Sequence, residues 1–189
     1  MNNNTALIII DVQQGFDSPK WGTRNNLDAE KNIAQLLTLW REKQRPVIHV
    51  QHCSTESNSP LHPNQPGVEF KPEAKPLNEE PIFKKAVNSA FIGTNLEEYL
   101  RENKISDVVI VGLTTDHCVS TTTRMAGNFG FNVLLVSDAT ATFSKTGPDG
   151  IEYSGDELHS IHLASLHGEF CEVVSIDDFY DRNNKYYVE

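Results

Sequence analysis

Five apolar runs limit what this chain can fold into. They are "ALIII" (Ala6 to Ile10), "PVIHV" (Pro46 to Val50), "VVIVGL" (Val108 to Leu113), "FNVLLV" (Phe131 to Val136) and "CEVVSI" (Cys171 to Ile176). All are rich in β-branched residues and nearly unbroken. A strand with one wet face alternates apolar and polar residues, whereas an unbroken run is buried on both faces. Helical patterns lie between the runs. Ile33, Leu37 and Trp40 recur at i, i+4, i+7 in a segment from about Asn26 to Lys43. "TNLE" (Thr94 to Glu97) and "SGDE" (Ser154 to Glu157) read as capping boxes, the second opening a helix through about His167. Strand and helix alternate, which predicts an α/β fold, doubly wound around a mostly parallel sheet.

Two stretches break the alternation. Ser54 to Pro81 carries prolines at 60, 63, 66, 72, 76 and 81, and Lys145 to Gly155 is rich in glycine. Both are long for mere connections, and long ordered loops commonly carry function. The 189 residues show no linker or internal repeat, and the reading is one domain over 1–189. A formal charge of −10 argues against nucleic acid or an anionic membrane surface as partner. No apolar run approaches the ~20 residues of a membrane helix. "MNNNTALIIID" has no basic region or cleavage signal, and the three cysteines do not make a disulfide framework. The expectation is a cytoplasmic protein with reduced thiols.

One of those thiols is oddly placed. In "VGLTTDHCVSTTTRM" (Val111 to Met125) an apolar strand ends at two threonines, and Cys118 comes four residues after the first of them. Ligands of open parallel sheets sit beyond the carboxyl ends of the strands, where strand order reverses. If the strands ending at Asp11 and Leu113 are neighbours there, carboxylate and thiol face one crevice. A helix starting here, with Thr115 or Asp116 as N-cap, puts Cys118 in its first turn, where backbone N–H groups favour the thiolate. The run Thr121 to Thr123 is a poor helix former and needs packing to hold it. The competing reading is a small buried hydrophobe, and that is how Cys53 and Cys171 are read. Asp11 likewise stands where turn and cap residues are common.

Three segments together resemble a known family. "LIIIDVQQGF" (Leu7 to Phe16), "KAVNSAFIGTNL" (Lys85 to Leu96) and "VVIVGLTTDHCVSTTTRMA" (Val108 to Ala126) are similar in kind and order to the isochorismatase-like cysteine hydrolases, and "VLLVSDATATF" (Val133 to Phe143) fits the same pattern. The resemblance implies about six parallel strands with helices on both faces. It also implies a catalytic triad of Asp11, Lys85 and Cys118, with Lys84 left as a solvated charge. It implies a non-proline cis peptide between Leu113 and Thr114 that turns the Thr114 N–H toward the Cys118 N–H, making an oxyanion hole. The chemistry implied is hydrolysis of a small-molecule amide, carbamoyl or related C–N bond through a thioester. The alternatives are a vinyl ether hydrolase of the isochorismate type, a thiol redox protein, and a non-catalytic binding domain.

Candidate substrate-binding residues are Gln13, Phe16, Trp21, Gln51, His52, Phe91 and His117, with Phe16 and Trp21 equally readable as core aromatics. Arg24 and Arg124 are candidate carboxylate clamps. The nicotinamidase branch carries Asp-x-His and a further histidine for a metal. Here the stretch reads "HVQHC" (His49 to Cys53) without the aspartate, so His52 and His62 lack a third ligand. No metal or cofactor is expected. The expected partners are a small-molecule substrate and further copies of the chain, as a homodimer or homotetramer. The segment 60–81 and the tail "YDRNNKYYVE" are the candidates to reach a neighbouring site.

Overall fold

β-Branched residues suit a strand covered on both faces, and β1 (Ala6–Ile10) is buried at every position. The computed structural model describes residues 3–185, so the last four residues of the tail lie outside the described residues. After β1 the chain runs α1 (Ala29–Glu42), β2 (Val47–His52), β3 (Ile82–Lys85), α2 (Leu96–Glu102), β4 (Asp107–Leu113) and α3 (Ser120–Asn128). It continues through β5 (Asn132–Ala141), β6 (Lys145–Thr146), β7 (Glu152–Tyr153), α4 (Gly155–Leu166), β8 (Glu172–Val174) and α5 (Ile176–Lys185).

The main sheet has six strands in the order β3-β2-β1-β4-β5-β8, and every pairing is parallel. Alternate residues of β1 feed two cores. Ala6, Ile8 and Ile10 join Leu96 and Leu100 of α2, Ala126 of α3 and Leu166 of α4. Leu7 and Ile9 join Ile33, Leu37 and Trp40 of α1 and Phe179 of α5 on the other face. Trp40 stacks on Phe179 at 5.6 Å and its indole N–H donates to the Thr5 carbonyl. Each such fully buried side chain contributes roughly 1.5–3 kcal/mol. The chain winds from β1 out to β3, then returns to place β4 on the other side of β1. That reversal is the switch point where α/β sheets bind ligands.

Several local expectations need correction. The edge strand β3 lies outside the five apolar runs, because its faces alternate: Ile82 and Lys84 are exposed, Phe83 and Lys85 buried. β5 runs on to Ala141, past the apolar run. β8 is shorter than "CEVVSI", and Ile176 already belongs to α5. The residue at the N-cap of α2 is Asn95, which makes no side-chain cap bond, rather than Thr94; the Thr94 hydroxyl donates to the Ala90 carbonyl and accepts from the Leu96 N–H. The Ser154–Glu157 capping box is present in full. The three threonines stay helical because Thr122 and Thr123 are fully buried, Thr122 accepting from the Ala90 N–H.

Candidate active site

Three strand ends converge at the switch point. Asp11 follows β1 in a left-handed conformation (φ 53°), with its N–H on the Val50 carbonyl. Lys85 is the last residue of β3. Cys118 lies in a turn, Thr115–Val119, that joins β4 to α3. That turn is not the ordinary helix start anticipated. The Thr114 carbonyl accepts from the N–H of His117 (3.2 Å) and of Val119 (3.1 Å), so the turn is wound wider than an α-turn. Gly112 makes the approach possible. Its φ is 125°, and a Cβ there would stand 2.1 Å from the Ile10 carbonyl oxygen. The Leu113–Thr114 peptide is cis.

Lys85 joins the groups. Its ammonium donates to Asp11 Oδ2 at 2.6 Å, to Cys118 Sγ at 3.2 Å and to His52 Nδ1 at 3.0 Å. The side chains of Lys85 and Asp11 are wholly buried. An ammonium has no acceptor, so His52 Nδ1 accepts and the neutral ring carries its hydrogen on Nε2. Burial first, then the Lys85 charge, pull the His52 pKa below its ordinary value. Burial opposes the charge on Lys85, but the adjacent Asp11 and Cys118 more than offset it and raise its pKa. Burial and the neighbouring Asp11 charge push the Cys118 thiol well up, and Lys85 offsets this only in part. This direction is opposite to the lowered thiol pKa expected of a helix start, because burial and the Asp11 charge outweigh Lys85. Asp11 Oδ1, also buried, makes no hydrogen bond to any described residue.

Cys118 opens into a cavity of about 270 Å³. One wall is apolar, from Phe16, Trp21, Leu61 and Phe143. Phe16 lies 5.3 Å from Trp21 and 6.2 Å from Phe143, and the Trp21 indole N–H is fixed on the Gly15 carbonyl. The polar wall comes from His52, Asn88, Thr114 and His117, with Glu56 and Lys145 also lining the space. Asn88, whose Oδ1 lies 3.8 Å from Cys118 Sγ, was missed in the sequence because nothing about an exposed asparagine distinguishes it. The proline-rich segment supplies Leu61, seated where Gly67 and Gly15 meet with no room for a side chain at either.

Gln13, Gln51 and Phe91 do not line this cavity, contrary to expectation. The Gln13 amide is spent on the carbonyls of His52 and Val68 and on the His52 N–H, which splices the loop after β1 to β2. Gln51 bonds the Val68 carbonyl, and Phe91 packs in the core against Phe129 and Phe131. Arg24 is held by Glu30 and Arg124 by Ser165, so neither is a clamp facing the thiol. Lys84 is exposed.

Asp11, His52 and Cys118 place ligand-type atoms within 4.8 Å of one another, the kind of group that can hold a metal. The Lys85 ammonium hydrogen-bonds all three, so a cation already stands among these donors and the group does not fit a metal. His49 is bonded to Glu80, and His62 accepts from the Asn64 N–H.

The fold and its switch-point thiol place the chain among α/β proteins built around a cysteine-centred pocket. The sequence pattern of the isochorismatase domain matches residues 5–178, and the chain belongs to the isochorismatase family of hydrolases. It is 52% identical to the isochorismatase family protein YrdC of Bacillus subtilis (strain 168) over 177 residues, 94% of this chain and 95% of that one. It is 27% identical over 188 residues to nicotinamidase 3 of Arabidopsis thaliana, covering 91% and 85%. Among solved structures, an isochorismatase-family protein of Chromobacterium violaceum superposes with a TM-score of 0.91 at 46% identity, covering 94% of this chain and 92% of that one.

Proposed function

We propose that this protein hydrolyses a small-molecule amide, carbamoyl or related C–N bond through a thioester on Cys118, with Asp11 and Lys85 completing a triad. The observation that carries the reading is the single buried ammonium bonded at once to carboxylate and sulfur. The substrate carbonyl enters the cavity beside Cys118. Asp11 takes the thiol proton while sulfur attacks the carbonyl carbon, and Lys85 balances the charge left on sulfur. The carbonyl oxygen becomes an oxyanion received by the N–H groups of Thr114 and Cys118, each worth roughly 2.7–4 kcal/mol at the transition state. The C–N bond breaks as Asp11 returns the proton to the leaving nitrogen. Water, losing a proton to Asp11, then attacks the thioester and releases the acid, and the thiol is restored.

The 27% relative named as a nicotinamidase supports C–N chemistry. The cavity disfavours the vinyl ether alternative. Isochorismate carries two carboxylates, and among the described residues the one Lys or Arg lining the space is Lys145, already paired with Asp116. A screen of amides, ureido acids and isochorismate with the wild type and Cys118→Ser side by side tests the reading. Turnover of a C–N substrate, a wild-type acyl mass on Cys118 and near-zero turnover in Cys118→Ser are expected. A variant with near-normal rates would end the covalent scheme.

A further inference from the structure

The turn that carries Cys118 has no side-chain cap of its own. Two of its residues are held from outside instead. Asp116 accepts from the Thr142 hydroxyl and from Lys145. Thr115, with no exposed surface, meets a buried histidine that the reaction above does not use: His159 on α4, with Nδ1 2.9 Å from Thr115 Oγ1. The other ring nitrogen, Nε2, lies 3.3 Å from Asn26 Nδ2.

These contacts set the proton positions. Asn26 Nδ2 also faces the carbonyls of Ser137 (3.2 Å) and Thr140 (2.8 Å), so that end of the side chain is the donor amide. His159 Nε2 must then accept, its hydrogen is on Nδ1, and Nδ1–H donates to Thr115. Burial, the largest influence on this ring, keeps it neutral, as the arrangement requires. The donor is anchored at both ends. Asn26 is bonded to β5, and α4 begins at a complete capping box with Gly155 tight against the Asn25 N–H and the Thr142 carbonyl.

We propose that His159 is a positioning residue: its Nδ1–H bond to Thr115 fixes the orientation of the two amides, Thr114 and Cys118, that receive the oxyanion. This inference rests on the reaction proposed above. Thr115 is the residue directly after one donor and three before the other. Loss of this bond to α4 lets the turn relax while leaving the thiol and the cavity walls in place.

Two replacements separate the two ends of the imidazole. Asparagine puts a donor near the place of Nδ1, and glutamine puts its amide near the place of Nε2. With p-nitrophenyl acetate as acyl donor, His159→Asn should keep kcat within about threefold. His159→Gln should lose roughly 10- to 100-fold in kcat with little change in KM, and Thr115→Val should match it without adding to it. Equal kcat in the Asn and Gln variants, or losses that follow melting temperature alone, would overturn the role.

A second measurement needs no turnover. Propionaldehyde adds to Cys118, sulfur bonding to the carbonyl carbon and the thiol proton ending on oxygen, with nothing leaving. The adduct oxygen occupies the oxyanion position and protects Cys118 from iodoacetamide. His159→Gln should need about tenfold more aldehyde than the wild type for the same protection, and His159→Asn should not. If that pattern holds while the wild type transfers no acyl group, the hydrolase reading falls and the positioning role stands. If all three proteins are protected alike, or none is, the positioning role falls.

Discussion

At the scale of single residues, the site turns on how many partners one ammonium has. Lys85 spends its three hydrogens on Asp11, His52 and Cys118, and this is why His52 must stay neutral. A proton on His52 would set a second cation against Lys85, with Asp11 the nearby anion that would favour it. Because burial and Lys85 lower the His52 pKa, the neutral ring persists above the folded value and is lost as pH falls through it, below the ordinary 6.5. Turnover should therefore show an acid limb below about pH 6.5. His52→Asn keeps an acceptor near the place of Nδ1 but cannot titrate. It should move that limb to lower pH with the plateau rate kept within about tenfold. A pH–rate profile with an unmoved limb would assign the titration to another group. Asp11, Lys85 and Cys118 were legible as residue types in motifs. Asn88 and His159 were not, since their meaning comes from neighbours 30 and 44 positions away, Cys118 and Thr115.

At the scale of elements, the geometry depends on how closely β4 approaches β1. The register between β4 and β5 shifts between Ile110 and Gly112, and Gly112 lies against the backbone of Ile10. Gly112→Ala forces a side chain into a φ that favours glycine and into that backbone. The conformation alone costs about 1–3 kcal/mol, and the contact adds to it. We expect a lower urea midpoint and a loss of Cys118-dependent turnover together; a variant of unchanged midpoint would show that the strands can separate at no cost. The apolar runs located five strands, because burial on both faces leaves an unambiguous pattern. β3 escaped because an edge strand with an exposed face mixes Ile82 and Lys84 with Phe83 and Lys85. The wide turn at Thr115–Val119 escaped because its shape is set by packing and by the Thr114 carbonyl, not by propensity.

At the scale of the whole molecule, buried titratable groups make stability depend on pH. His49, His52, His159 and His162 all have pKa values lowered from 6.5, in each case first by burial. The unfolded chain therefore binds more protons than the folded one below pH 6.5, and stability falls as pH falls through that window. Carboxylates extend the loss. Burial raises Glu80 and Asp116, but bonds to Arg41 and to Lys145 and Thr142 outweigh it and hold both near 2. Their contribution is complete above the ordinary 4.5 and 3.8 and drains away toward pH 2. Urea unfolding from pH 7.5 downward should give a steadily falling free energy, with a shallower slope below pH 4.5 in Glu80→Gln. A flat profile between pH 7 and 5 would mean that the histidines titrate alike in both states. Among the described residues no helix is long and apolar enough to cross a membrane.

The amino-acid order alone determined the alternation of buried strand and amphipathic helix, and with it the α/β class, because strands alternating with helices bury both faces of a parallel sheet. It also held the family motifs that single out Asp11, Lys85 and Cys118. Tertiary structure decided what these residues are in place. Bringing the ends of β3, β1 and β4 to one point removes water from an acid, an amine and a thiol together, and there burial and the Asp11 charge push the thiol pKa up despite Lys85. The protonation state of a group depends on the charges and the solvent around it, and those belong to the folded molecule.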